Sequence, residues 1–203
     1  LRIAVCNPGC STDLFLRHIL AIYAPEINPE RDITIVPILE ASNVLASMSR
    51  GLIDVSMFSP PVPQKAVADG YGAVYIDTIE GDVPSTKGML FTALMATEEG
   101  IKRKPTEFKG VVRALDRALK LIHSDVEAAG KAARQFMPTI EESLWSASMR
   151  QMVSATPRNA SISVEGLKRY GDLINSGATK YNVDYSTMAA TALIEEALKE
   201  RKK

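Results

Sequence analysis

The turn Asn7-Pro8-Gly9-Cys10-Ser11-Thr12 gathers residue types suited to holding a small ligand. It joins an apolar run, Arg2-Ile3-Ala4-Val5-Cys6, to a helical pattern beginning near residue 12. A helix start offers unpaired backbone N–H groups and the positive end of the helix dipole. Gly9 lets the backbone come close to a bound group, and Ser11 and Thr12 add hydroxyl donors. An anionic head such as a sulfonate, carboxylate, nitrate or phosphate suits such a place. Helix capping by Ser11 or Thr12 explains the same residues without a ligand. Asp13 in the first turn also counts against an anion, because its charge already answers the dipole.

Two further loops carry candidate contacts. Glu40 follows a β-branched run, Ile33-Thr34-Ile35-Val36, and its carboxylate suits an amino or amidine group. A solvated carboxylate ahead of a helix is the competing reading. Ser42 either caps that helix or reaches a ligand. Ser59-Pro60-Pro61 follows the run Ile53–Phe58, where Ser59 caps a helix or touches ligand beside Pro60, and Pro61 suits a first helical turn.

Catalytic motifs are missing. The chain has no Gly-x-Ser-x-Gly elbow, no phosphate loop ending in Gly-Lys-Ser/Thr and no metal-type His pair. His18 falls inside an amphipathic pattern and His123 near a helix end, where structural roles are natural. A Cys6–Cys10 disulfide would close a very small loop, and a metal site would need more ligands than the two cysteines and distant histidines supply. Both cysteines therefore read as plain thiols, Cys6 as a buried strand residue. Trp145 belongs to a helical apolar stripe with Leu144 and Met149 and reads as core. No catalytic residue, metal or cofactor is expected.

The elements that position these loops alternate over the first ~80 residues. Strands are expected at 2–6, 33–36, 53–58 and 73–76, with helices at about 12–24, 42–50 and 61–69. Gly51 and Gly70 are natural helix stops. Apolar strands alternating with helices imply a parallel sheet covered on both faces. Ligands of such sheets sit beyond the carboxyl ends of the strands, which selects the loops 7–12, 38–42, 59–61 and 77–87. Beyond a crossover at 80–87 the pattern changes. One apolar strand is expected at 89–96, then helices beginning at Pro105 and at about 125–136, 141–152, 163–175 and 186–199.

Composition narrows the class. The 203 residues are 46% hydrophobic and 24% charged, with zero formal net charge, so the basic excess of a nucleic-acid binder is missing. The basic runs Lys102–Lys104 and Arg201–Lys203 read as a solvated connector and a helix C-terminus. No apolar stretch approaches the roughly 20 residues of a membrane span. The sequence opens on strand-like residues with neither leader nor initiator Met, which reads as a processed or truncated product.

Several segments in order carry a family resemblance. Gly51-Leu52-Ile53-Asp54-Val55, Ser59-Pro60-Pro61, Ala68-Asp69-Gly70-Tyr71-Gly72 and Val74-Tyr75-Ile76-Asp77 resemble the second lobe of type II periplasmic solute-binding proteins, those of sulfonate/nitrate/taurine-type ABC importers. Receptors for thiamine-precursor pyrimidines belong to the same group. Asn28-Pro29-Glu30-Arg31-Asp32, Lys104-Pro105 and Ser163-Val164-Glu165-Gly166-Leu167 agree with it.

The resemblance implies an α/β fold of the type II periplasmic-binding-protein kind, with residues 1–85 as the second lobe. Residues 86–203 would return to the first lobe as one strand followed by helices. It implies a small anionic or zwitterionic ligand held at Gly9–Thr12, Glu40–Ser42 and Ser59–Pro60, with a membrane permease and an ATPase as partners. An extracytoplasmic location follows, with membrane attachment only through the permease or a lost anchor. The segment that opens such chains has no counterpart before Leu1, so a fragment, or a half supplied from elsewhere, is expected. Two other functions share this fold. One is an enzyme of pyrimidine-precursor or menaquinone-pathway type, although the cysteine-rich run of the former is missing. The other is the ligand-sensing domain of a transcription regulator, which the helical stretch from 105 onward suits poorly.

Overall fold

The computed structural model describes residues 1–175 and 181–199. These divide into two compact units, one built on Leu1–Ser85 and one built on Thr86–Gly171.

The first unit is a parallel sheet with helices on both faces. Its strands are β1 (Arg2–Val5), β2 (Thr34–Pro37) and β3 (Val55–Ser56), in the order β2-β1-β3. Ile3 lies opposite both Ile35 and Val55, which fixes the register. Alternation along β1 sends Ile3 and Val5 to one face, where they pack with Leu16 of α1 (Ser11–Tyr23). Ala4 faces the other way, onto Val44 of α2 (Ala41–Ser49), Ile53, and Val62 of α3 (Val62–Ala68). Val5 and Val44 are fully buried. A one-residue slip of β1 would turn both cores inside out.

Glycine closes α2 and α3, as the sequence implies. Gly51 (φ +64°) and Gly70 (φ +73°) adopt the left-handed conformation. The N–H of Leu52 reaches back to Ser47 O, and that of Tyr71 to Ala66 O, satisfying carbonyls the helices leave open.

Several elements differ from expectation. The third strand is formally two residues long, although ladder hydrogen bonds extend to Asp54 N and Met57 N. Residues 73–76 form no strand, and Tyr75 is 94% exposed. Residues 89–96 likewise join no sheet, and Met95 is exposed. Apolar β-type sequence forms a strand only when a neighbour supplies a ladder, and the described residues offer these segments none. Cys6 lies just past β1 and is half-buried, not a buried strand residue. The helices start at Ser11, Ala41 and Val62, so Cys10, Glu40 and Pro61 occupy the capping positions and Ser42 sits inside the first turn of α2.

The second unit is helical: α4 (Glu98–Arg103), α5 (Pro105–Ser124), α6 (Val126–Arg134), α7 (Glu142–Ala155), α8 (Val164–Ile174) as far as Gly171, α9 (Tyr185–Met188) and α10 (Thr191–Lys199). The short α4 replaces the expected connector. Thr97 caps it through the Gly100 N–H, with Glu98 and Glu99 at its start and Lys102 and Arg103 at its end. The helix expected over 186–199 is two helices, α9 and α10. The run Arg201–Lys203 lies outside the described residues. Trp145 bridges α7 to α6 by donating its indole N–H to Gly130 O at 3.0 Å. His123 donates from Nε2 to Thr156 O at 2.8 Å. The fully buried Asp116 of α5 accepts from Lys120 at 2.6 Å and from the Ala160 N–H at 3.4 Å, holding the loop before α8.

Candidate functional site

The turn after β1 is closed on itself by its own side chains. Gly9, with φ +78°, aims its N–H at Asp13 Oδ2, 2.7 Å away. Thr12 Oγ1 accepts the Cys6 N–H at 2.9 Å, Cys10 Sγ the Asn7 N–H at 3.2 Å, and Asn7 O the Cys10 N–H at 3.1 Å. The Asp13 carboxylate is 2% exposed and accepts from Arg17 Nε at 2.9 Å. Arg17 is held in turn by Glu30 at 2.5 Å. A full negative charge therefore already occupies the start of α1, answering the dipole there.

The two cysteines of this turn differ in character. Burial pushes the Cys6 thiol up, and its electrostatic interaction and hydrogen bond with Cys10 add to the effect. Burial also acts to raise Cys10. Hydrogen bonds from the Thr12 hydroxyl and nearby backbone N–H groups outweigh it and hold Cys10 below the ordinary thiol value.

Beside this turn lies an open depression of about 580 Å³ at the carboxyl ends of β1 and β2. Asn7 forms one side. Residues 37–40, which leave β2, form another, and Asn43 and Ser47 of α2 complete it. Glu40, Asn43 and Ser47 fall at i, i+3 and i+7, the spacing of one helical face. Among the described residues, the side chains of Asn7, Glu40, Asn43 and Ser47 make no hydrogen bond or ion pair within the chain. Ile38 and Leu39 supply apolar surface.

The structure thus brings Asn7 and Glu40 of the sequence candidates to one depression. Gly9, Cys10, Ser11, Thr12, Ser42, Ser59 and Pro60 do not line it. Ser59 accepts the Val62 N–H through its carbonyl, ahead of α3. Sequence reasoning missed Asn43 and Ser47. Their signal was the polar stripe continuing from Glu40 into a helix whose other face is apolar.

A second hollow of about 470 Å³ lies between α6 and α7, lined by Gly130, Trp145 and Met149 with Glu127, Arg134 and Glu142 at hand. Arg134 bonds the carbonyls of Met137 and Ile140 and pairs with Glu142 at 3.4 Å, so its charge serves the α6–α7 turn. His18 Nε2 lies 2.8 Å from Ser85 Oγ, and burial lowers its pKa. No group of three or more metal-ligating side chains occurs among the described residues. None of the described helices is long and apolar enough to cross a membrane.

A parallel sheet sandwiched by helices, with a ligand-sized depression at its carboxyl end, defines an α/β unit of the periplasmic-binding-protein type. Residues 1–136 match the model of the NMT1-like family, and the chain belongs to that family. A solved protein of Bordetella bronchiseptica RB50 shares the fold with a TM-score of 0.80 at 17% identity. The match covers 100% of this chain and 65% of that one, so the chain spans about two thirds of the neighbour's length. No curated protein matches the chain.

Proposed function

We propose that this chain is the ligand-capturing part of an extracytoplasmic solute-binding protein serving an ABC importer. The observation that carries the reading is the depression at the carboxyl ends of β1 and β2, lined by Asn7, Glu40, Asn43 and Ser47, whose side chains make no hydrogen bond or ion pair among the described residues. Ligands of open parallel sheets bind at this end. Membership of the NMT1-like family supports the same reading.

On this reading residues 1–85 are the second lobe and residues 86–203 return to the first. The cargo is a small anionic or zwitterionic solute of the sulfonate, nitrate or taurine type, among which a zwitterion suits Glu40 best. A permease and an ATPase would receive it, and the binding step would need no catalysis or cofactor. A thermal-shift panel of sulfonates, nitrate, taurine, aromatic carboxylates and aminopyrimidines tests the proposal. A ligand that binds only the folded state raises the melting temperature as its concentration rises. A shift with one class, and no consumption of that compound, supports a receptor. Turnover of the compound would overturn it in favour of an enzyme.

A further inference from the structure

We infer that the depression selects a hydrogen-bond-donating, positively charged group, an ammonium or amidinium, and that Glu40, Asn43 and Ser47 determine this choice. The inference rests on the solute-binding reading and names the part of the ligand seated in unit 1.

Three observations carry it. First, the lining holds one charged side chain, the carboxylate of Glu40, and no lysine, arginine or histidine. An anion placed there would meet a full negative charge with no cation to answer it. Second, the two helix starts nearby are already charged. Asp13 sits at the start of α1 and takes the Gly9 N–H, and Glu40 is the capping residue of α2. A helix end contributes roughly half a positive unit, which one carboxylate outweighs. The feature that makes the turn at 7–12 attractive for an anion on sequence grounds is therefore occupied from within.

Third, the remaining groups suit a donor-bearing ligand. Glu40 offers acceptor oxygens only, and the amide oxygens of Asn7 and Asn43 and the Ser47 hydroxyl add acceptors on two further sides. An ammonium has three donors and an amidinium four, arranged to use several acceptors at once. Ile38 and Leu39 would cover the carbon skeleton next to the cationic head. A zwitterion is compatible, its cationic end entering here.

The test uses matched probes that differ only in the head group: benzamidine against benzoate, and taurine against isethionate. Melting temperatures are measured for the wild-type protein, Glu40→Gln, Asn43→Ala, Ser47→Ala, and Glu26→Gln on the loop at the opposite end of the sheet. Titration calorimetry gives Kd for any probe that shifts. The cationic member of a pair should shift the wild type, and the anionic member should not. Glu40→Gln should weaken that binding roughly tenfold or more, and Asn43→Ala and Ser47→Ala about three- to tenfold each. Glu26→Gln should match the wild type. Ligand-free melting temperatures of the variants guard against misfolding, and among the described residues these side chains make no hydrogen bond or ion pair whose loss would lower them. Binding of the anionic member alone, or of the cationic member with unchanged Kd in Glu40→Gln, overturns the inference while leaving the receptor standing. No shift with any probe or with the wider panel overturns the receptor reading and this inference together.

Discussion

Replacing Asp13 tests the claim that a buried carboxylate organises the turn before α1. Its oxygens accept from the Gly9 N–H at 2.7 Å and from Arg17 Nε at 2.9 Å, and the residue is 2% exposed. A hydrogen bond to a charged group contributes about 1.5–3 kcal/mol, roughly twice a neutral one. Asp13→Asn keeps one acceptor but loses the charge. Arg17 retains Glu30 and is 30% exposed, so solvent screens part of its loss. The expected destabilisation is about 1–2 kcal/mol for Asp13→Asn and about 2–4 kcal/mol for Asp13→Ala, which also strands the Gly9 N–H. Urea unfolding at neutral pH, followed by circular dichroism, measures it. Asp13→Asn should also gain stabilisation from added sulfate, since the start of α1 then lacks its internal anion. Changes below about 0.5 kcal/mol in both variants, a size ordinary for surface substitutions, would refute the reasoning.

Four other outcomes follow from the same structure. Asp54, bonded by the Arg2 side chain and N–H, is held down to about 2 from its ordinary 3.8. Its contribution to stability is present above about pH 4 and lost as pH falls toward 2, and an NMR titration should return its midpoint toward 3.8 in Arg2→Ala. Val44→Ala empties a fully buried position facing Ala4 and should cost about 1.5–3 kcal/mol in denaturant unfolding. Iodoacetamide should label Cys10 before Cys6, as mass spectrometry of timed samples would show, and Thr12→Val should slow that labelling. Gly166→Ala would place a Cβ 2.8 Å from Gly88 O and should destabilise the protein by about 1–3 kcal/mol, whereas Gly110→Ala, with open space around it, should not.

The alternating half of the chain was legible because each strand is short, apolar and followed by a helix with its own stop signal. Gly51 and Gly70 marked the ends of α2 and α3, and the parallel sheet followed from Ile3, Ile35 and Val55 as members of apolar runs. The runs at 73–76 and 89–96 misled because β propensity reports how a side chain fits a pleated surface, not whether a neighbouring strand exists. The acidic start and basic end of α4 were visible, but Pro105 just beyond drew the reading to α5.

At the candidate site the position of Glu40 was legible from its place after β2. The closure of the 7–12 turn was not. It depends on Asp13 folding back onto Gly9 and Thr12 onto Cys6, three-dimensional contacts that the residue types permit without specifying. Asn43 and Ser47 escaped because helix polarity alone cannot separate a solvated face from a ligand-facing one.

Backbone NMR of the protein, titrated with the compound that most raises its melting temperature, shows directly where ligand sits. Amide shift changes are expected to centre on Asn7, residues 38–40, Asn43 and Ser47, with Glu40→Gln weakening them. Changes centred instead on the hollow beside Trp145 and Gly130, or spread evenly with no dependence on Glu40, would contradict this placement of the ligand.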